Sequence, residues 1–99
     1  MGSATQVLSI RAPLTENAAV EMVIWRVPEP VRGSNHYFKY RLALIVDGTC
    51  VIRYDNEAGK GDHKHVGDEE FPCDFVGVDA LRRDFLVEAR EWLSRNGSY

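Results

Sequence analysis

The segment His63-Lys64-His65 carries the side chains best suited to proton transfer near neutral pH. Imidazole titrates at a pKa of about 6.5, so histidine can both accept and release a proton under physiological conditions. Side chains two residues apart in an extended chain point to the same side, so we expect His63 and His65 to act together. Two exposed loop histidines without any catalytic role would show the same spacing. No third ligand stands at a spacing typical of a metal site, so we expect no metal and no other cofactor.

Four charged side chains lie on two predicted strands just upstream of these histidines. They are Lys39, Arg41, Arg53 and Asp55. In the predicted pairing Arg41 faces Arg53, and two arginines repel each other unless an anion or a carboxylate lies between them. The guanidinium group binds phosphate through two parallel hydrogen bonds, so the pattern favours a phosphate site. The alternative is a solvated sheet face with a salt bridge between Lys39 and Asp55, which is common for exposed charges.

The face that these charges occupy depends on the turn at Asp47-Gly48, between predicted strands 37–46 and 49–55. A two-residue turn would mix charged and apolar side chains on both faces. A three-residue loop over residues 46–48, with Gly48 in the left-handed conformation, separates them, so we predict this loop. One face then carries only apolar residues and a cysteine: Tyr40, Leu42, Leu44, Cys50, Ile52 and Tyr54.

The remaining elements complete an α+β fold. Residues 6–12 and 19–27 predict two further strands, and residues 56–71 are polar, rich in glycine and typical of a loop. Residues 78–94 repeat apolar side chains at helical spacing, so we expect Phe85 and Trp92 to be buried against the sheet. The prediction is a mainly antiparallel sheet of about four strands, with one face covered by the C-terminal helix. We expect residues 1–99 to form a single domain with its core at about 6–95.

Composition excludes several classes of protein. The chain has 99 residues and a formal net charge of −3, and no window is apolar enough for a membrane span. These values argue against a membrane protein, a secreted disulfide-rich miniprotein and a nucleic-acid binder that relies on bulk charge. With only Cys50 and Cys73, we expect two buried thiols in a cytoplasmic protein. Residues 26–66 carry seven basic and five acidic residues, whereas the rest carries five and ten, which suggests an acidic partner for the middle of the chain.

Three short motifs, taken in order, resemble the TumE family of bacterial toxin–antitoxin proteins. They are Phe38-Lys39-Tyr40-Arg41-Leu42, Arg53-Tyr54-Asp55-Asn56 and His63-Lys64-His65. The resemblance covers roughly residues 18–93. It implies a small toxin encoded beside a helix-turn-helix antitoxin that neutralises it.

Residue chemistry and resemblance together suggest a metal-independent ribonuclease toxin that acts on RNA phosphodiesters. The predicted catalytic residues are His63, His65 and Lys39. The predicted phosphate- or RNA-binding residues are Arg41, Arg53, Lys60 and Lys64, and Asp55 would orient Lys39 or a histidine. The alternative is a non-catalytic toxin or regulatory module that binds a cellular target or its antitoxin through the basic sheet face. A homo-oligomer is compatible with either hypothesis.

Overall fold

The computed structural model describes residues 2–96, which form one antiparallel sheet and one helix. The strands follow one another across the sheet in chain order, so each hairpin places neighbouring segments side by side. The elements are β1 (Thr5–Pro13), β2 (Ala18–Arg26), β3 (Phe38–Val46), β4 (Thr49–Asp55), β5 (His63–Val66), β6 (Glu69–Pro72) and α1 (Val78–Arg95). The predicted α+β class with a C-terminal helix is therefore confirmed.

The sheet has six strands rather than about four, because the segment predicted as a loop contains β5 and β6. Val66 pairs with Glu69 around a two-residue turn, Gly67-Asp68, and Gly67 has a φ of 60°. Glycine followed by aspartate is a common sequence for such hairpin turns. The sequence shows no alternation of apolar and polar residues over β6, because this strand is exposed along its whole length. His63 and His65 therefore belong to a paired strand and not to the predicted loop.

The turn between β3 and β4 also differs from the prediction. Asp47 and Gly48 both have positive φ, at 51° and 79°, and Val46 pairs directly with Thr49. This is the two-residue type I′ turn that suits a right-twisted hairpin. A β-bulge at Val51 then adds one residue to β4, which restores the separation of charged and apolar faces.

The two-residue turn and the bulge each shift the pairing by one residue from the predicted one, which together preserves the faces but changes the partners. Arg41 lies opposite Asp55, and Arg53 lies opposite Ala43, so the predicted Arg41–Arg53 and Lys39–Asp55 pairs are wrong. The predicted division into a charged face and an apolar face is confirmed for the other residues of these strands. Cys50 is the exception, because it lies before the bulge and is exposed rather than buried.

The apolar face of the sheet and one side of α1 form the core. The helix buries Leu81, Phe85, Ala89 and Leu93, and Phe85 has no exposed surface. The Phe85 ring meets the Tyr54 ring edge to face, with centroids 5.4 Å apart. The predicted burial of Phe85 is thus confirmed, whereas Trp92 is only partly buried. Within residues 2–96, no helix is long and apolar enough to cross a membrane.

Candidate functional site

Two rows of side chains cross the open face of the sheet, because cross-strand partners on antiparallel strands project to the same side. The first row is Arg11, Glu21, Ala43, Arg53, His65 and Glu70. The second row is Ser9, Val23, Arg41, Asp55, His63 and Pro72. Neighbouring rows are two residues apart along each strand, which is roughly 7 Å. The sheet thus brings Arg41, Arg53, Asp55 and both histidines of β5 together.

Asp55 lies at the centre of this group. Its Oδ2 is 2.8 Å from Nε of Arg53, and its Oδ1 is 2.8 Å from Nε2 of His63. Neither contact has the alignment of a hydrogen bond, so Arg53 forms an ion pair with Asp55 and His63 makes a close polar contact with it. The sequence offered Lys39 or a histidine as the partner of Asp55. The structure places His63 against it and leaves Lys39 exposed at the start of β3.

His63 is held in place by its surroundings. It is 3% exposed, and its Nδ1 lies 2.8 Å from the backbone oxygen of Gly61. A carbonyl oxygen can only accept, so Nδ1 carries the proton and Nε2 faces Asp55. A substrate cannot reach this imidazole directly, and its ring lies between the Asp55 carboxylate and the Gly61 backbone.

His65 is the more accessible imidazole of the two. Its side chain is 24% exposed, and its ring packs edge to face with that of His63, with centroids 4.9 Å apart.

On β6, the Oε2 atom of Glu70 lies 3.7 Å from Nε2 of His65 and 3.5 Å from Nζ of Lys60. Sequence reasoning missed Glu70, and the signal that reveals it is the Gly67-Asp68 turn. The ligating atoms of His63, His65 and Glu70 all lie within 4.8 Å of one another.

A cleft of about 490 Å³ lies beside the arginines. Its polar lining includes Lys39, Arg41, Arg53, Asp55 and Asn56. The exposed Arg41 has its Nη1 3.8 Å from a Glu21 oxygen, a contact too long for a hydrogen bond. Arg41 can therefore turn toward an anion in the cleft at little cost.

Lys64 projects from the other face of the sheet, because side chains alternate along β5. Its Nζ lies 3.0 Å from Oε1 of Glu88 on the helix and 5.7 Å from the centre of the Tyr54 ring. The Tyr54 hydroxyl donates to the same Glu88 carboxylate. The structure therefore does not bring Lys64 together with the arginines, and Lys64 links sheet to helix instead.

A second polar cluster, which sequence reasoning missed, fixes the loops at the end of the sheet. The Asp62 carboxylate accepts hydrogen bonds from His36 Nε2, the Tyr40 hydroxyl and the Ser34 hydroxyl, at 2.8, 2.7 and 2.8 Å. Burial alone would raise the pKa of Asp62, but these three hydrogen bonds lower it below the ordinary value. The His36 ring also stacks on Phe75, with centroids 3.8 Å apart. The cluster supports the segment that leads into β5.

The comparison with protein families gives one match. The model of the family described as Toxin TumE matches residues 2–93. No curated protein and no solved structure matches the chain. The matched range includes both rows of the open face, the cleft and most of the helix.

Proposed function

This chain belongs to the TumE toxin family and is the toxin component of a toxin–antitoxin pair, and we propose that it cleaves RNA phosphodiesters without a metal cofactor. The observation that carries the proposal is the placement of two arginines and an accessible histidine on three adjacent strands of one face, beside a cleft. We further propose that the toxin acts in the cytoplasm and that its antitoxin is a helix-turn-helix protein.

The cleft suits a phosphate group. Arg41 and Arg53 line it, and a guanidinium group binds two phosphate oxygens through parallel hydrogen bonds. Lys39 lies in the same lining and offsets negative charge as the phosphorane forms. Asp55 holds Arg53 through its 2.8 Å contact, so this arginine is oriented before the substrate arrives. Three basic side chains outnumber two acidic ones in the lining, so the cleft is locally positive although the whole chain has a net charge of −3.

His65 is the proton-transfer group in this proposal. It lies directly across from Arg53 on the neighbouring strand, so cross-strand geometry puts their Cβ atoms about 5 Å apart. The imidazole takes the proton of a ribose 2′-hydroxyl, and the 2′ oxygen bonds to phosphorus. The bond to the 5′ oxygen then breaks, and that oxygen takes a proton from solvent. The products are a 2′,3′-cyclic phosphate and a 5′-hydroxyl.

The other charged residues have supporting roles. His63 is buried between Asp55 and Gly61, so it acts as a positioning residue that packs against the Asp55 carboxylate. Lys60 lies at the β6 edge, where it can contact the RNA chain beyond the cleaved bond. Lys64 has no part in the proposal, because it faces the helix.

The first test is cleavage of a single-stranded RNA by the purified toxin. The second is cleavage of cellular RNA when the toxin is expressed without its antitoxin. His65→Gln should lower the cleavage rate by roughly 10²–10⁴-fold, as loss of a proton-transfer group does. Arg53→Ala should mainly weaken RNA binding, and Arg83→Ala is the matched control, because Arg83 is exposed on the helix. Cleavage should continue in EDTA and should stop when the ribose at the cleaved bond lacks its 2′-hydroxyl.

A second candidate function is a toxin that binds a cellular target through the same face without chemistry. The burial of His63 favours it, because only one of the two β5 imidazoles remains accessible for proton transfer. If RNA stays intact while the wild-type protein arrests growth, the nuclease proposal is wrong and target binding replaces it. In that case His65→Gln should retain toxicity and Arg53→Ala should lose it.

A further inference from the structure

We propose that His63, His65 and Glu70 form a binding site for one Zn²⁺ ion. Their ligating atoms lie within 4.8 Å of one another on the β5–β6 hairpin. Two imidazoles and one carboxylate are a common zinc ligand set when a fourth position stays open to water. Hard cations such as Mg²⁺ prefer sites built only from oxygen ligands, so imidazole favours zinc over magnesium.

Buried atoms that form no hydrogen bond are the second observation at this place. Oδ1 of Asp55, Nε2 of His63 and Nε2 of His65 are buried and form no hydrogen bond. Each of these atoms can donate a lone pair to a metal. In His63 the Nδ1 proton is directed to the Gly61 carbonyl, which is the arrangement that presents Nε2 to metals in proteins.

The contact between Asp55 and His63 also calls for a cation. With the Nδ1 proton directed to Gly61, Nε2 of His63 lies only 2.8 Å from the Asp55 oxygen. Two acceptors at this distance repel each other unless a proton or a metal ion lies near both. A zinc ion bound to Nε2 of His63 would supply the positive charge, with Asp55 beside the ligand set.

The movement that binding requires is small. Zinc bonds of about 2.0–2.2 Å in a tetrahedron place ligand atoms roughly 3.4 Å apart, so atoms that now lie up to 4.8 Å apart must approach by up to roughly 1.4 Å. Glu70 can make this adjustment, because its side chain is 44% exposed on the edge strand. Its present neighbour is Lys60, whose Nζ is also exposed and 3.5 Å away.

Bound zinc would also regulate the proposed ribonuclease, an expectation that rests on the proposed function. With zinc on the buried Nε2 of His65, the remaining ring proton would lie on Nδ1, and no lone pair of His65 would be left to take the proton from RNA. The zinc-loaded toxin would then be inactive, and removal of the ion would restore cleavage. Zinc binding itself does not depend on RNA cleavage.

Calorimetric titration of the metal-free full chain with ZnCl₂ tests the site. We expect one ion per chain and no competition from excess MgCl₂. Glu70→Gln should weaken binding by more than the roughly 10–100-fold that loss of an outer-shell group costs. Glu69→Gln is the matched control, because Glu69 is the exposed neighbour on the other face of β6. Both glutamates are exposed, so neither change should unfold the protein, and circular dichroism checks this.

The thiols need their own control. A chain with Cys50→Ser and Cys73→Ser should bind zinc as the wild type does, since neither cysteine belongs to the cluster. Wild-type affinity in Glu70→Gln, or loss of binding in the cysteine variant, would overturn the site. If zinc binds as expected but RNA is not cleaved even in EDTA, the site stands and the proposed function fails. If RNA is cleaved but zinc does not bind, the site alone is wrong.

Discussion

Replacement of Asn56 should destabilise the protein far more than its position beside an open cleft suggests. Asn56 is 1% exposed and directly follows β4. Its side-chain amide forms hydrogen bonds with β3, as the backbone of a further β4 residue would. Its Oδ1 accepts the backbone N–H of Tyr40 at 3.0 Å. Its Nδ2 donates to the backbone oxygen of Phe38 at 2.7 Å and to the Ser34 hydroxyl at 3.3 Å. The side chain therefore satisfies both backbone groups of β3 that face it.

The expected cost follows from these contacts. Asn56→Ala leaves the Tyr40 N–H and the Phe38 oxygen without their partners. An unsatisfied buried polar group costs about 1–3 kcal/mol, so we expect a loss of about 2–4 kcal/mol in the free energy of unfolding. Asn56→Asp should be at least as harmful at neutral pH, because it replaces the donor with a charged oxygen close to the Phe38 oxygen.

Urea unfolding followed by circular dichroism measures this loss. Asn35→Ala is the control, because Asn35 is exposed in the loop before β3 and should change stability by less than about 0.5 kcal/mol. If Asn56→Ala costs no more than Asn35→Ala, the amide does not stabilise β3 and the reasoning is wrong. The same holds if Asn56→Asp is as stable as the wild type.

Two further stability predictions use matched pairs. Phe85→Ala should lower the free energy of unfolding in urea by about 3–5 kcal/mol, whereas Val87→Ala, at an exposed position of the same helix, should lower it little. A loss below about 1 kcal/mol at Phe85 would mean that the helix does not depend on this contact. Gly61→Ala should lower the melting temperature more than Gly48→Ala. Both glycines have positive φ, but only at Gly61 would a new Cβ lie 2.8 Å from the backbone oxygen of Gly33. Equal losses would contradict a close approach of the two loops.

Local patterns were sufficient for the longer elements. The regular spacing of apolar residues predicted α1 and the buried position of Phe85, because helical periodicity depends only on the chain itself. Alternation along β3 and β4 likewise predicted that Arg41, Arg53 and Asp55 share a face. A register error of two residues does not change the face of a side chain, so this prediction survived an incorrect turn.

The sequence by itself therefore determined the α+β class, the charged face of β3 and β4, and the common side of the two β5 histidines. Only the tertiary structure decided which groups meet. The bulge at Val51 placed Asp55 opposite Arg41, and the β5–β6 hairpin brought Glu70 to His65. Burial separated the two histidines, leaving His63 enclosed and His65 accessible. Such contacts join residues that lie apart along the chain, so their geometry depends on strand pairing, which no local pattern encodes.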